Sequence, residues 1–297
     1  CKFFKHRKEN KTMILQESYP LNNGVKIPKV GFGTWMLEDN AAVQAVKDAL
    51  MIGYRHIDTA QAYENERGVG EAIRTSGIER SEIFLTSKVA AEHKTYESAS
   101  KSIDESLEKL GLDTIDLMII HAPQPWAEFR EANYDEGNVE AWRALEDAYK
   151  TGKVRAIGLS NFNQHDVENI LQHATIKPAV NQVLAHISNT PFELIDYCKE
   201  KDILIEAYSP VGHGELLKNP ELKEMAEKYQ VSVPQLAIRY CLDLGLLPLP
   251  KSANKAHIQS NGEVDFELSK EDMDRLKAIQ PIKNYGESSD FPVYNKK

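Results

Sequence analysis

Four side chains spread along the first half of the chain make a chemically sensible set: Asp58, Tyr63, Lys88 and His121. A phenol titrates near pH ~10 and is a poor acid donor at neutral pH. A buried ammonium beside it favours the phenolate and lowers that value, and a carboxylate keeps the ammonium charged and in place. Such a trio turns a tyrosine into a usable general acid. Each residue alone has a plainer reading. Asp58 suits an Asx turn or a helix N-cap, and Tyr63 a partly buried packing residue. Lys88 suits a solvated loop, and His121, close to Pro123, a structural role. What decides between these readings is whether the fold brings the four together.

The elements that must position them alternate along the chain. Asn23-Gly24, flanked by short apolar segments, predicts a two-residue type I′ hairpin near the start. Strands are then expected at 30–34, 55–58, 83–89, 115–121, 154–159, 179–183, 203–207 and 246–249. Helical stretches fall between and after them, near 39–52, 65–75, 95–110, 138–150, 163–172, 191–201, 220–229, 233–243, 255–260 and 269–279. Continuous apolar strands such as 115–120 and 202–207 suit a parallel sheet covered by helices. Eight βα units in one domain most simply close into a (β/α)8 TIM barrel, here with an N-terminal β-hairpin and an extra C-terminal helix. The alternative is a doubly wound open sheet. Its dinucleotide-binding form needs a glycine-rich turn after the first strand. The nearest match, Gly68-Val69-Gly70-Glu71-Ala72-Ile73, lacks the third glycine and follows the second strand.

Barrel active sites are built at the C-terminal ends of the strands. The eight predicted strands end at Thr34-Trp35, Asp58, Lys88, His121, Ser160-Asn161, Gln182, Tyr208-Ser209 and Lys251-Ser252. Tyr63 follows Asp58 by five residues. Every strand delivers a reactive or hydrogen-bonding group to one rim, which surface polarity alone does not explain.

Composition narrows the function classes. The 297 residues are 41% hydrophobic and 27% charged, enough for a core and unlike a disordered or collagenous chain. No apolar run approaches a membrane span. The formal charge of −9 lacks the basic field of a nucleic-acid binder, so any phosphate must be held by a local cluster. The three cysteines, Cys1, Cys198 and Cys241, form no CxxC and no paired framework, which fits a reduced, cytoplasmic compartment. Residues 1–12 carry no signal-peptide pattern and read as a remnant or an upstream extension. A single barrel domain is expected over 13–297, with no nucleic-acid or membrane partner. His56-Ile57-Asp58 superficially suits a metal-dependent hydrolase, but no second histidine cluster accompanies it, and no metal is expected.

Taken in order, these motifs resemble the aldo-keto reductases. The resemblance runs from about Pro20 to Pro281. It rests on Gly53-Tyr54-Arg55-His56-Ile57-Asp58-Thr59-Ala60 followed by Tyr63 and Asn65-Glu66, on Thr86-Ser87-Lys88, and on the strand ending at His121. It rests also on Gly158-Leu159-Ser160-Asn161-Phe162, Asn181-Gln182, Ala207-Tyr208-Ser209-Pro210 and Pro250-Lys251-Ser252. The spacing looks most like the prokaryotic branch containing 2,5-diketo-D-gluconate reductases and related carbonyl reductases.

The resemblance implies reduction of aldehydes and ketones by hydride transfer from NADP(H) held in extended form. It implies a catalytic tetrad of Asp58, Tyr63, Lys88 and His121, with Tyr63 as proton donor and His121 orienting the carbonyl. Tyr208 would stack on the nicotinamide, while Ser160, Asn161 and Gln182 would bind its carboxamide. Ser209 and Leu216 would line the pyrophosphate, and Lys251 and Ser252 the adenosine 2′-phosphate. Thr34, Trp35 and Asp58 complete the expected cofactor contacts, with His257 and Asn261 at the adenosine end. A family-fold sensor or structural protein is the rival reading, which the intact tetrad opposes.

Two departures stand out. Where the family has tryptophans beside the lysine and histidine, this chain has Ala90 and Ala122. Either the gap is refilled by Trp126, Phe129 or Tyr134, or the mouth admits bulkier carbonyls. Trp35, Ala90, Ala122, Trp126 and Phe129 are therefore the expected substrate pocket. At the adenosine end, His257 stands where an arginine is usual, and Ser260 replaces a glutamate. A neutral histidine lacks the fixed charge and fork of arginine, so NADP(H) is expected first, with NAD(H) use left open.

Overall fold

Apolar runs bounded by turn residues become strands buried on both faces. The computed structural model describes residues 13–295, so the expected extension at 1–12 lies outside the described residues. Two short strands, β1 (Ser18–Pro20) and β2 (Lys26–Pro28), pair antiparallel. Eight parallel strands follow: β3 (Phe32–Gly33), β4 (His56–Asp58), β5 (Phe84–Val89), β6 (Ile115–Ile120), β7 (Val154–Ser160), β8 (Val180–Leu184), β9 (Leu204–Tyr208) and β10 (Leu247–Leu249). They pair in sequence order from β3 to β10. Gly31 N–H donates to Pro248 O at 3.1 Å and Gly33 N–H to Pro250 O at 3.0 Å, which joins the first strand to the last and closes a (β/α)8 barrel.

That seam explains why β3 is shorter than its apolar run. A Cβ on Gly31 would lie 2.4 Å from Leu249 Cδ2, and one on Gly33 3.2 Å from Leu249 O. Only glycine lets the two strands meet here.

Ten α-helices wrap the barrel and follow it: α1 (Asp39–Ile52), α2 (Glu66–Arg74), α3 (Tyr96–Leu110), α4 (Asp135–Lys150), α5 (Gln164–His173), α6 (Phe192–Glu200), α7 (Pro220–Tyr229), α8 (Val233–Asp243), α9 (Lys255–Asn261) and α10 (Lys270–Lys277), counted among the described residues. Their starts are set by local chemistry. Asn163 and Asp166 form a reciprocal capping box on α5, and Ser232 and Gln235 another on α8. Helix α4 begins three residues earlier than the apolar pattern predicts. Asp135 and Glu136 occupy its first turn, where acids are favoured. Gly137, which reads as a loop residue, is needed there because a Cβ would lie 2.8 Å from Lys94 O. No helix among the described residues is long and apolar enough to cross a membrane.

The N-terminal hairpin corrects one expectation. Its turn is not a two-residue type I′ turn. Leu21 N–H donates to Val25 O at 2.8 Å and Gly24 N–H to Leu21 O at 2.9 Å, enclosing a three-residue loop. Only Gly24 takes positive φ (+85°), the pattern of a type I turn followed by a glycine bulge. The turn's asparagines reach other elements: Asn22 donates to Pro178 O at 2.8 Å and Asn23 to Arg155 O at 3.0 Å. The hairpin thereby plugs one end of the barrel, where Leu21 and Ile27 pack with Leu117, Ala179 and Leu247.

The glycines of the near-motif at 68–73 serve packing. A Cβ on Gly68 would lie 2.0 Å from Asp39 O, and one on Gly70 2.0 Å from Leu110 O. They let α2 press against the start of α1 and the end of α3. At an open helical site Gly→Ala stabilises by roughly 0.5–1 kcal/mol. Gly70→Ala is expected to destabilise instead, by about 1–3 kcal/mol, because the new methyl meets backbone that cannot rotate away. Urea denaturation measures the sign, and a stabilised variant would contradict the packing described here.

Candidate active site

The parallel register sets the geometry. Asp58 ends β4 opposite Thr86 of β5, and Lys88 lies two residues further along the same strand. Both side chains therefore meet inside the barrel. Lys88 Nζ donates to Asp58 Oδ1 at 2.5 Å, to Thr59 O at 2.9 Å and to Tyr63 OH at 3.1 Å. The ammonium is fully buried, and its three hydrogens are committed to these three acceptors. Tyr63 arrives from the turn after β4, at the end of a 3-10 segment, Gln61–Tyr63. Gln61 is fixed by bonds to Ser102 O and Ser106 Oγ. His121 follows β6, and its ring meets Tyr63 edge-on at 5.7 Å between centroids. The fold thus assembles all four residues singled out in the sequence.

Their charge states follow from burial. Burial opposes the Lys88 ammonium, but Asp58 and Tyr63 outweigh it and hold its pKa above that of an ordinary lysine. Burial also raises the Tyr63 phenol, while Lys88 pulls it down. The lysine acts in the expected direction, but the net shift is upward, because enclosure of the phenol by the surrounding protein outweighs it. Tyr63 therefore holds its proton at neutral pH. His121 is held well below the usual histidine value by burial, and then by Lys88 and Lys94. Its imidazole is neutral.

Around this centre runs a chain of polar side chains. Gln182 Nε2 donates to Asp58 Oδ2 at 2.8 Å and to Glu206 Oε2 at 3.1 Å. Ser160 Oγ donates to Gln182 O at 2.9 Å. Asn161 Nδ2 donates to His121 O at 3.0 Å, and its Oδ1 accepts from Tyr208 OH at 2.5 Å. Thr34 Oγ1 donates to Asp58 O at 2.9 Å. Asn161 and Ser209 adopt φ of +60° and +50°, strained values for non-glycine residues that cluster at functional sites.

These groups line a cavity of about 970 Å³. It runs from Tyr63, His121 and Trp126, past Asp58, Gln182 and Tyr208, to Lys251, Ser252, His257 and Asn261. Thr34, Trp35, Ser160, Asn161 and Ser209 also line it. The structure places four other expected residues elsewhere. Ala122 is fully buried, its carbonyl accepting from Lys94 Nζ at 2.8 Å. Ala90 is tied through its N–H to Gln61 Oε1 at 2.8 Å. Phe129 packs against Trp126, centroids 5.5 Å apart, and does not reach the wall. Leu216 is buried, and its neighbour Leu217 faces the cavity instead.

Sequence reasoning missed two contributors. Phe291, Pro292, Val293 and Tyr294, after the last helix, form part of the wall. Tyr294 OH and Ser209 Oγ are 2.6 Å apart, and the Tyr294 ring lies nearly parallel to Trp35 at 6.2 Å. The other is Glu206, an acid inside an otherwise apolar strand and fully buried. Burial, then the Asp58 charge, pushes its carboxyl up to about 8. An acid in the middle of a strand buried on both faces was the available signal.

A closed eight-stranded barrel with a buried Lys-Asp-Tyr cluster and a histidine at its mouth is the architecture of a barrel oxidoreductase. The aldo/keto reductase family model matches residues 29–281. The chain is 44% identical over 278 residues to glyoxal reductase of Bacillus subtilis, covering 93% of this chain and 97% of that protein. A crystal structure of an aldo/keto reductase from Brucella melitensis superposes with a TM-score of 0.84 at 40% identity, covering 90% and 98% of the two chains. An aldo-keto reductase of Bombyx mori in complex with NADP gives 0.83 at 33% identity, covering 94% and 99%. The chain belongs to the aldo/keto reductase family. It is an NAD(P)H-dependent carbonyl oxidoreductase.

The Glu206 carboxyl yields a pH prediction. Its folded pKa, about 8, lies above the ordinary 4.5. The stability contributed by its neutral form is full below pH ~4.5 and is lost as pH rises towards 8. Glu206→Gln stays neutral throughout. Its stability relative to the parent should therefore improve between pH 5 and 8, on the order of 3 kcal/mol. Urea denaturation at both pH values tests this, and parallel behaviour of the two proteins would refute it.

Proposed function

We propose that this protein is an NADPH-dependent reductase of small aldehydes and ketones in which Tyr63 is the general acid. The observation that carries the reading is the fully buried ammonium of Lys88 bridging Asp58 Oδ1 and Tyr63 OH on the floor of the long cavity. The donor set fits an extended dinucleotide. Gln182 lines the inner part of the cavity with its Oε1 free of protein hydrogen bonds among the described residues. Lys251 and Ser252 line the outer part, where a phosphate needs a cation and a hydroxyl. When bound, the nicotinamide supplies a hydride to the carbonyl carbon.

The protein's own groups supply the rest. Tyr63 OH donates its proton to the carbonyl oxygen as negative charge builds there. Lys88 stabilises the phenolate left behind, and Asp58 keeps the lysine charged and in place. The neutral His121 imidazole orients the same oxygen by a hydrogen bond, and this preorganised pair forms the oxyanion site. Asn161 holds the histidine's backbone carbonyl and the Tyr208 hydroxyl together.

Cofactor choice rests on Lys251 and His257, which line the adenosine end. Without an arginine fork there, preference for the 2′-phosphate is weaker, and NADH serves as a second donor. Trp35, Trp126 and Phe291 form the apolar wall facing the substrate, in place of the alanines considered from sequence. The cavity is built from one chain's strands, so the monomer is taken as the working unit. Cys198 and Cys241 are buried free thiols, in keeping with a cytoplasmic setting.

Tyr63→Phe keeps the ring and removes the proton donor. Carbonyl reduction should fall by roughly 10²–10⁴-fold, while NADPH binding followed by fluorescence stays near that of the parent. Near-parental turnover would remove Tyr63 from the mechanism.

A further inference from the structure

Glu206 serves no step of the chemistry above, yet it is the acid most completely enclosed by the barrel. Its Oε1 is buried without a hydrogen-bond partner among the described residues, and His56 Nε2 lies 4.0 Å from it. A buried carboxyl without a cation of its own destabilises a fold, so its place calls for a compensating use. The contact that supplies one is with Gln182.

Gln182 and Glu206 are Cα partners on neighbouring strands, as are Ser160 and Gln182. The Gln182 backbone is pinned, its carbonyl accepting from Ser160 Oγ and from Asn161 N–H, each at 2.9 Å. Its side-chain amide still has two orientations, related by a half-turn. Asp58 Oδ2 and Glu206 Oε2 both approach the same end, at 2.8 and 3.1 Å. The Asp58 carboxylate would repel an amide oxygen, whereas the NH2 group offers one hydrogen to Asp58 Oδ2 and the other to Glu206 Oε2, which accepts in the neutral acid as well. The nitrogen therefore points into the barrel, and the oxygen is left towards the cavity. Asp58 alone uses one of the two hydrogens and is itself engaged by Lys88.

We infer that Glu206 is a positioning residue that, with Asp58, locks the Gln182 amide so that its Oε1 is presented to the cavity as an acceptor for the carboxamide NH2 of the nicotinamide. This rests on the cofactor reading above. The lock makes the site selective for a ring substituent that can donate a hydrogen bond. A methyl ketone in the same position cannot donate, so it loses this contact.

The test compares NADP⁺ with its 3-acetylpyridine analogue, which shares the adenosine 2′-phosphate but carries a methyl ketone in place of the carboxamide. Dissociation constants are measured by calorimetry for the parent, Glu206→Leu and Glu206→Gln. The parent should favour NADP⁺ about five- to ten-fold, the range of one hydrogen bond. Glu206→Leu should bring the ratio within about two-fold, chiefly by weakening NADP⁺. Glu206→Gln, whose amide oxygen still accepts from Gln182, should restore the preference. Binding of the analogue by Glu206→Leu shows that the variant is folded. A parent with no preference, an unchanged preference in Glu206→Leu, or equal weakening of both ligands would overturn the inference. Failure of the parent to bind either ligand would overturn the cofactor reading itself.

Discussion

The site depends on one buried cation. Taking an ammonium out of water is unfavourable by several kcal/mol or more, unless every hydrogen finds an acceptor and a counter-charge is close. Lys88 meets both conditions, with Asp58, Thr59 O and Tyr63 OH around it. Asp58 is in turn fixed through its backbone carbonyl by Thr34 and through its second oxygen by Gln182. Removing any member leaves an unpaired polar group in the barrel, so the cluster supports the fold as well as the proposed chemistry.

The strands serve this arrangement through register. A parallel barrel brings the C-terminal ends of strands distant in sequence to one rim. Gln182 reaches Asp58 across 124 positions of chain, and Tyr208 reaches Asn161 across 47. Hydrogen bonds link Asp58, Gln182, Ser160, Asn161 and Tyr208 in turn along the lower wall of the cavity. The outer wall differs. It is built from the loop after β9, with positive φ at Gly212, His213 and Gly214, and from the aromatic C-terminal segment. Contacts between His213, Trp35 and Tyr294 join these two pieces.

Much of this was legible in the residues. Strand and helix positions follow from apolar runs, and most agree with the pattern to within a residue or two, because those runs are the buried surfaces. The polar residues at the strand ends were visible for the same reason, as breaks in apolar sequence. What the sequence hid has physical causes. Ala122 was placed beside the substrate because it adjoins His121, but successive residues leaving a strand point opposite ways. Asn23-Gly24 does not by itself separate a two-residue turn from a three-residue loop; contacts to Pro178 and Arg155 decide it. Glu206 was absorbed into an apolar strand, since its partner Gln182 is local only in the folded sheet. The C-terminal aromatics find Ser209 and Trp35, partners that no local pattern identifies.

The central claim is that Lys88 keeps Tyr63 competent to give up its proton. Lys88→Met retains the length of the side chain and removes the charge. The most direct measurement is single-turnover hydride transfer in this variant, followed by NADPH absorbance against a simple aldehyde, with NADPH binding measured in parallel. Binding close to that of the parent, with transfer slowed at least about 10²-fold, is the predicted result. Transfer at the parental rate would contradict the account, because the phenol would then need no cation.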